Sequence, residues 1–218
     1  MALNCTGEIL PKGIPTISIS DNPISIDDFC NYINTDDEIL LYEEISGSNR
    51  KYWVIIEADE YPISVCELEH YADYLSQEGR WDGRRSDYLV IGSNYFGKCY
   101  LVIIELRHVL VKANQEDDKI EQLSLCVEYL INNHIKTINE SQALKKIYED
   151  SDSYTIIGVI IAPGNTRSFS RGELNKVLHI NSHKVLIRTL PKDALTNCKI
   201  TWTDLIKRIG MPPNQSKR

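Results

Sequence analysis

The 218-residue chain has no apolar run near the roughly 20 residues that span a bilayer, so no membrane role is expected. Its first residues, MALNCTGEILPKG, lack a basic region followed by an apolar core and do not read as a secretory signal. No C-x-x-C pair occurs among the scattered cysteines Cys5, Cys30, Cys66, Cys99, Cys126 and Cys198. A disulfide scaffold would be shorter and denser in cysteine, so reduced thiols in a cytoplasmic protein are expected. A Gly-rich phosphate loop of Walker or Rossmann type is missing, as are a G-x-S-x-G elbow and any motif around a nucleophilic cysteine. Internal repeats and low-complexity tracts are absent as well. Positive charge is in deficit: 24 Lys and Arg face 31 Asp and Glu, for a net charge of -7. A dedicated nucleic-acid coat is usually basic. Nucleic-acid binding by this chain would need cations gathered locally, or a metal that neutralises the site.

What is present is an ordinary globular composition, 42% hydrophobic and 25% charged. The length suits one domain with elaborations. We expect an N-terminal extension over 1–37, one α/β domain over 38–210 and a flexible tail over 211–218. SIDDFCNYIN suits a short helix capped by Ser25, with Asp27 and Asp28 in its first turn. EILLYEEI, GSN and RKYWVIIEAD read as a hairpin. SVCELEHYADYLSQEG reads as a helix with Ser64 as cap and Gly79 at its end. In the helix DDKIEQLSLCVEYLINNHI, Ile120, Leu123, Val127, Leu130 and Ile131 form one apolar stripe, and Asp117 or Asp118 begins it. ESQALKKIYED suits a shorter helix, and SYTIIGVIIAP a buried strand. GNTRSFSRGELNKVLH reads as a polar loop running into a short helix. HKVLIRTLP reads as a strand and TWTDLIKRIG as a closing helix capped by Thr201 or Thr203. Together these predict a mixed central sheet flanked by helices, of α/β or α+β class.

The segment SDYLVIGSNYFGKCYLVIIELRH carries the chemistry. Two apolar runs flank a turn-rich centre, as in a β-hairpin. Side chains alternate along a strand, so Glu105 and Arg107 share a face. With the turn near Asn94 to Phe96, Asp87 falls opposite or diagonal to Glu105, about 4.5–8 Å away. One divalent cation can bridge that gap, and Mg²⁺ prefers such oxygens. Solvated strand-end charges are the plain alternative. Just before Asp87, GRWDGRR gathers Arg80, Trp81, Arg84 and Arg85. Cations beside an aromatic suit phosphate contact and base stacking, and a turn anchored by Trp81 is the alternative. Arg167 and Arg171 form a weaker set in a polar loop. His179 and His183 lack a third ligand, and turn chemistry explains them.

Ser86-Asp87-Tyr88-Leu89-Val90-Ile91, then Leu101-Val102-Ile103-Ile104-Glu105-Leu106-Arg107, then a helix, resembles the PD-(D/E)xK nuclease superfamily. Over roughly residues 60 to 165 the resemblance implies a restriction-endonuclease-like fold with an N-terminal β-hairpin extension. It implies a metal-dependent nuclease, in which Asp87, Glu105 and the Leu106 carbonyl hold Mg²⁺ or Mn²⁺. Glu69, or Glu67 beside it, matches an acidic position of the first helix, and Gln122 a glutamine on the following helix. The resemblance implies DNA as substrate, in a restriction, repair or defence setting, with a homodimer or partner subunit where both strands are cut. Two features depart from the pattern. Arg107 stands where the family has Lys, and arginine cannot serve as a base, though its planar fork can grip a phosphate. RWDGRR also leaves little room for a strand between the first helix and the Asp-bearing strand, so the RKYWVIIEA hairpin is expected to fill that slot. The alternative function is a degenerate nuclease-like subunit that binds nucleic acid or protein without cutting.

Overall fold

The computed structural model describes residues 5–94, 96–108, 113–148, 154–162, 175–190 and 194–210, with the backbone alone at 113–119 and 175. Arg167, Arg171, Asp117, Asp118 and the tail after 210 lie outside the residues whose side chains are described.

Apolar runs at the centre of the chain build a seven-stranded sheet. In chain order its strands are β2 (Cys30–Ile33), β5 (Ile63–Glu67), β6 (Tyr88–Ser93), β7 (Cys99–Leu106), β8 (Tyr154–Ile161), β9 (Asn175–Ile180) and β10 (His183–Leu190). Their spatial order is β2-β5-β6-β7-β8-β10-β9. The left half is antiparallel, β8 runs parallel to both β7 and β10, and β9 closes the edge antiparallel. Every residue of β7 is buried, which explains its unbroken CYLVIIEL run: both faces are covered.

One face carries helices α1 (Leu68–Gln77), α2 (Ala113–Asn133), α3 (Ile135–Glu140) and α4 (Gln142–Lys145). Leu89, Leu101 and Ile103 of the sheet pack there with Leu123, Val127 and Leu130 of α2. On the other face lies a smaller sheet. In it β4 (Lys51–Ala58) has β3 (Asp37–Glu44) along one edge, with β1 (Thr6–Gly7) and β11 (Lys199–Thr201) along the other. Val90, Val102 and Ile104 pack toward it, beside α5 (Trp202–Gly210). Trp202 donates its indole N–H to the Ser93 carbonyl at 2.7 Å, and a Cβ at Gly92 would overlap its ring. The result is three layers with the large sheet in the middle.

Several expectations change. The hairpin β3–β4 forms, but in the second sheet; the strand that pairs with β6 is β5. Ser64 therefore lies inside β5, and α1 starts at Leu68 with Glu67 as cap residue. Five consecutive buried residues, Ile63 to Glu67, explain this, because one stripe of a surface helix is exposed and these are not. Lys176 to His179, within the segment expected to run into a short helix, belong to β9; backbone pairing with β10 across a turn at Asn181 (φ 52°) overrides the local pattern. SIDDF makes only a 3-10 turn, Ile26–Phe29, before the chain enters β2. Cys5 is bonded to Cys198 and Cys30 to Cys66, which corrects the expectation of six reduced thiols. Cys99 and Cys126 are free and buried. Each disulfide joins cysteines remote in sequence that strand pairing brings together. Residues before Asp37 thus enter both sheets, through β1 and β2. No helix among the described residues is long and apolar enough to cross a membrane.

A candidate active site at the ends of β6 and β7

The β6–β7 register pairs Tyr88 with Ile104. Continued by one residue, it sets Asp87 opposite Glu105. On β7 the alternation puts Leu101 and Ile103 on the helix face, and Glu105 follows on the same side. Asp87 is fixed from three directions. Its Oδ2 accepts the Leu106 N–H at 2.6 Å, and its carbonyl accepts the N–H groups of Leu68 (2.9 Å) and Glu69 (3.3 Å) at the start of α1. One aspartate thereby joins β6, β7 and α1.

Arg107 Nη2 stands 3.3 Å from Glu105 Oε1, with the two side chains only 17% and 7% exposed. The Arg107 Nε is buried and has no hydrogen-bond partner among the described residues. Around this pair opens a cavity of about 800 Å³, lined also by Glu43, Glu69, His70, Arg84 and Gln122. Gln122 Nε2 donates to the Arg85 carbonyl at 3.3 Å, which ties α2 to the segment entering β6. Of the residues singled out from sequence, the cavity gathers Asp87, Glu105, Arg107, Glu69, Arg84, Arg85 and Gln122. Leu106 lies within β7, its side chain in the core between the sheets.

Two of the nucleic-acid candidates are displaced. Trp81 is 5% exposed, its ring stacked on His134 (centroids 4.9 Å apart) and tilted against Tyr129. It offers no face to a base, so the stacking role is withdrawn and Trp81 anchors the turn. Arg80 pairs with Glu78 at 2.8 Å, away from the cavity lining. Arg85 lines the cavity, but its guanidinium is taken by Asp73 and Ser76 Oγ. Arg84 is exposed and without a side-chain partner among the described residues.

Sequence reasoning missed Glu43. It comes from β3 in the other sheet and pairs with His108 at 3.4 Å. Nothing in the local pattern links position 43 to position 105; only packing of the two sheets does. His70 was also unassigned: its Nδ1 lies 2.8 Å from Glu67, whose side chain is 10% exposed.

Crowded carboxylates in a desolvated place hold protons tightly. Burial pushes Asp87 well above the usual carboxylate range, Glu105 adds to this, and the Leu106 N–H opposes it. Burial pushes Glu105 up to about 7 against the opposing Arg107 charge. Glu43 and Glu67 also rise through burial, opposed by His108 and His70. Hard oxygen donors that repel one another suit a divalent cation, which would offset their charge. The donor set therefore fits Mg²⁺ or Mn²⁺, although among the described residues no three Asp, Glu, His or Cys side chains already form a metal cage. No protein-family model, curated protein or solved structure matches the chain.

Proposed function

We propose that the chain is a Mg²⁺- or Mn²⁺-dependent nuclease that hydrolyses phosphodiester bonds of DNA. The observation that carries this reading is the placement of Asp87 opposite a buried Glu105 in the lining of one polar cavity. The run β5-β6-β7-α2-β8 supports it. Its β5, β6 and β7 are antiparallel and β8 runs parallel to β7 after α2, as in a PD-(D/E)xK core, but β5 precedes α1 whereas the family has that strand after its first helix.

Asp87, Glu105 and the Leu106 carbonyl are the groups that would hold the cation, with Glu69 at the rim. Bound there, it would supply Lewis-acid charge to the scissile phosphate and lower the pKa of a water. Arg107 holds Glu105 in place, and its remaining N–H groups can donate to a phosphate oxygen. It cannot accept the proton of an attacking water. Arg84 offers an exposed cation for a second phosphate. Because one such site breaks one strand, cutting a duplex requires a second copy of the chain, a partner subunit or successive nicks.

The Arg107–Glu105 pair favours a second reading: a domain that binds nucleic acid or a partner protein but does not cut. A resident guanidinium neutralises one of the two carboxylates. Supercoiled-plasmid nicking with Mn²⁺ or Mg²⁺ separates the two. Under the nuclease reading the wild type nicks, and Asp87→Ala and Glu105→Ala do not. Absence of nicking by wild type leaves the binding-module reading, and equal nicking by all three exposes contamination. Calorimetric titration of Mn²⁺ gives a second readout: heat with the wild type, lost on Glu105→Ala.

A further inference from the structure

A second depression, of about 580 Å³, adjoins the cavity, and Gly83 and Arg84 line both. The saddle between them is the 81–84 turn. Trp81 Nε1 donates to the Gly83 carbonyl at 3.0 Å, and Asp82 N–H donates to the Tyr129 hydroxyl at 3.2 Å. A Cβ at Gly83 would overlap the Tyr129 ring, so the turn can seat on α2 only with glycine there. This fixes the position of Arg84. Its neighbours Arg80, Arg85 and Arg107 each sit on a carboxylate, whereas Arg84 has none among the described residues.

Beyond the saddle the groove is lined by Leu125, Tyr129, Asn132 and Asn133, with Asp82 and Glu128. Leu125 is 42% exposed, unusual for a leucine on a packed helix. The two amides are already held: Asn132 Oδ1 accepts from Asn181 at 2.9 Å, and Asn133 Nδ2 donates to the Tyr129 carbonyl at 3.0 Å. Two carboxylates would repel a phosphate. The Tyr129 ring is packed by Gly83 and against Trp81 and His134, so Leu125 gives the apolar surface; with carboxylate acceptors beside it, this suits a nucleobase, whose exocyclic amino group donates. A cation on the saddle and acceptors beyond it therefore sort a nucleotide into its two halves.

We infer that this groove is a nucleobase subsite. Resting on the nucleic-acid reading above, Arg84 takes a phosphate beside the scissile one, and the groove takes the unpaired base attached to it. Cytosine, whose N4 amino group offers donors, is favoured over thymine, which has the O4 acceptor in that place and only its N3–H to donate.

The test is fluorescence anisotropy of the wild-type chain with short labelled oligo-dC and oligo-dT strands, in EDTA so that nothing is cut. Oligo-dC binds more tightly than oligo-dT by about fivefold or more, the scale of one good carboxylate–amino contact. Asp82→Asn combined with Glu128→Gln removes the preference. Leu125→Ala, which removes apolar surface without adding charge, weakens oligo-dC severalfold while the urea midpoint shows the fold intact. Arg84→Ala weakens both strands alike. Equal affinities for the two strands, or a preference that survives the paired substitution, overturn the subsite and leave phosphate binding by Arg84 standing. Failure of both strands to bind overturns the subsite, and the nucleic-acid reading falls with it only where plasmid nicking with Mn²⁺ or Mg²⁺ is absent as well.

Discussion

Two cation–carboxylate pairs near the cavity contrast in setting. Arg80 and Glu78, on the turn after α1, are 2.8 Å apart with side chains 57% and 42% exposed. Arg107 and Glu105, at the end of β7, are 3.3 Å apart and almost wholly buried. The shorter pair is the weaker one. Water screens the first, and its side chains lose entropy to stay in contact. The second has lost its water, so removing either partner leaves an uncompensated buried charge. Distance ranks these pairs wrongly and desolvation ranks them correctly. The same difference leaves the β6–β7 end with carboxylates that hold their protons tightly and the turn with water-screened charges.

The largest effect that sharpens the comparison is on cleavage. Asp87→Ala or Glu105→Ala lowers plasmid nicking at least about a hundredfold, as loss of a metal-holding group should, while Arg80→Ala leaves the rate unchanged. A gel-based nicking time course reads both. Next is a substitution that could break the contrast, because the turn has one buried anchor. Trp81→Ala removes a ring packed on His134 and Tyr129 and costs about 3–5 kcal/mol in urea unfolding. A loss near zero would mean the turn is held by its surface charges after all.

The third effect concerns pH. Glu105 is pushed from 4.5 to about 7 by burial, so the folded chain binds this proton more tightly than the unfolded chain does. Its stabilising contribution is complete below the unfolded value and is lost as pH rises through about 7, for a total of about 3 kcal/mol. Asp87, also raised, acts in the same direction. Urea melts without metal should show stability falling over that window in the wild type, with a flatter profile for Glu105→Gln. Parallel profiles would remove Glu105 as the cause. Of similar or smaller size is Arg107→Met above neutral pH, which costs about 3 kcal/mol by stranding Glu105. Smallest is Arg80→Met, which leaves the unfolding midpoint unchanged and closes the contrast.

Much of the site was legible because β-strand parity is a local rule. Asp87, Glu105 and Arg107 could be placed on one face from their spacing alone, and the apolar runs of β7 and β8 announced a sheet covered on both sides. The stripe of α2 was equally readable, with Leu123, Val127, Leu130 and Ile131 now buried. Where reading failed, a distant partner decided. Ser64 sits in a strand because β2 and β6 flank it. Lys176 to His179 extend because β10 offers backbone partners. Trp81 turned inward because His134 and Tyr129, about 50 positions later in the chain, supply its pocket.

By itself the sequence determined the alternation that aligns two carboxylates and a guanidinium at one strand end, since each side chain's direction follows from its own backbone. Only the tertiary structure decided which charges lose their water. Burial depends on what the other sheet, α1 and the 78–85 turn bring alongside. It brought Glu43 to the cavity, paired Cys5 with Cys198 and Cys30 with Cys66, and left Arg84 as the exposed cation between two grooves. Desolvation is a property of the assembled surroundings, and no local pattern encodes it.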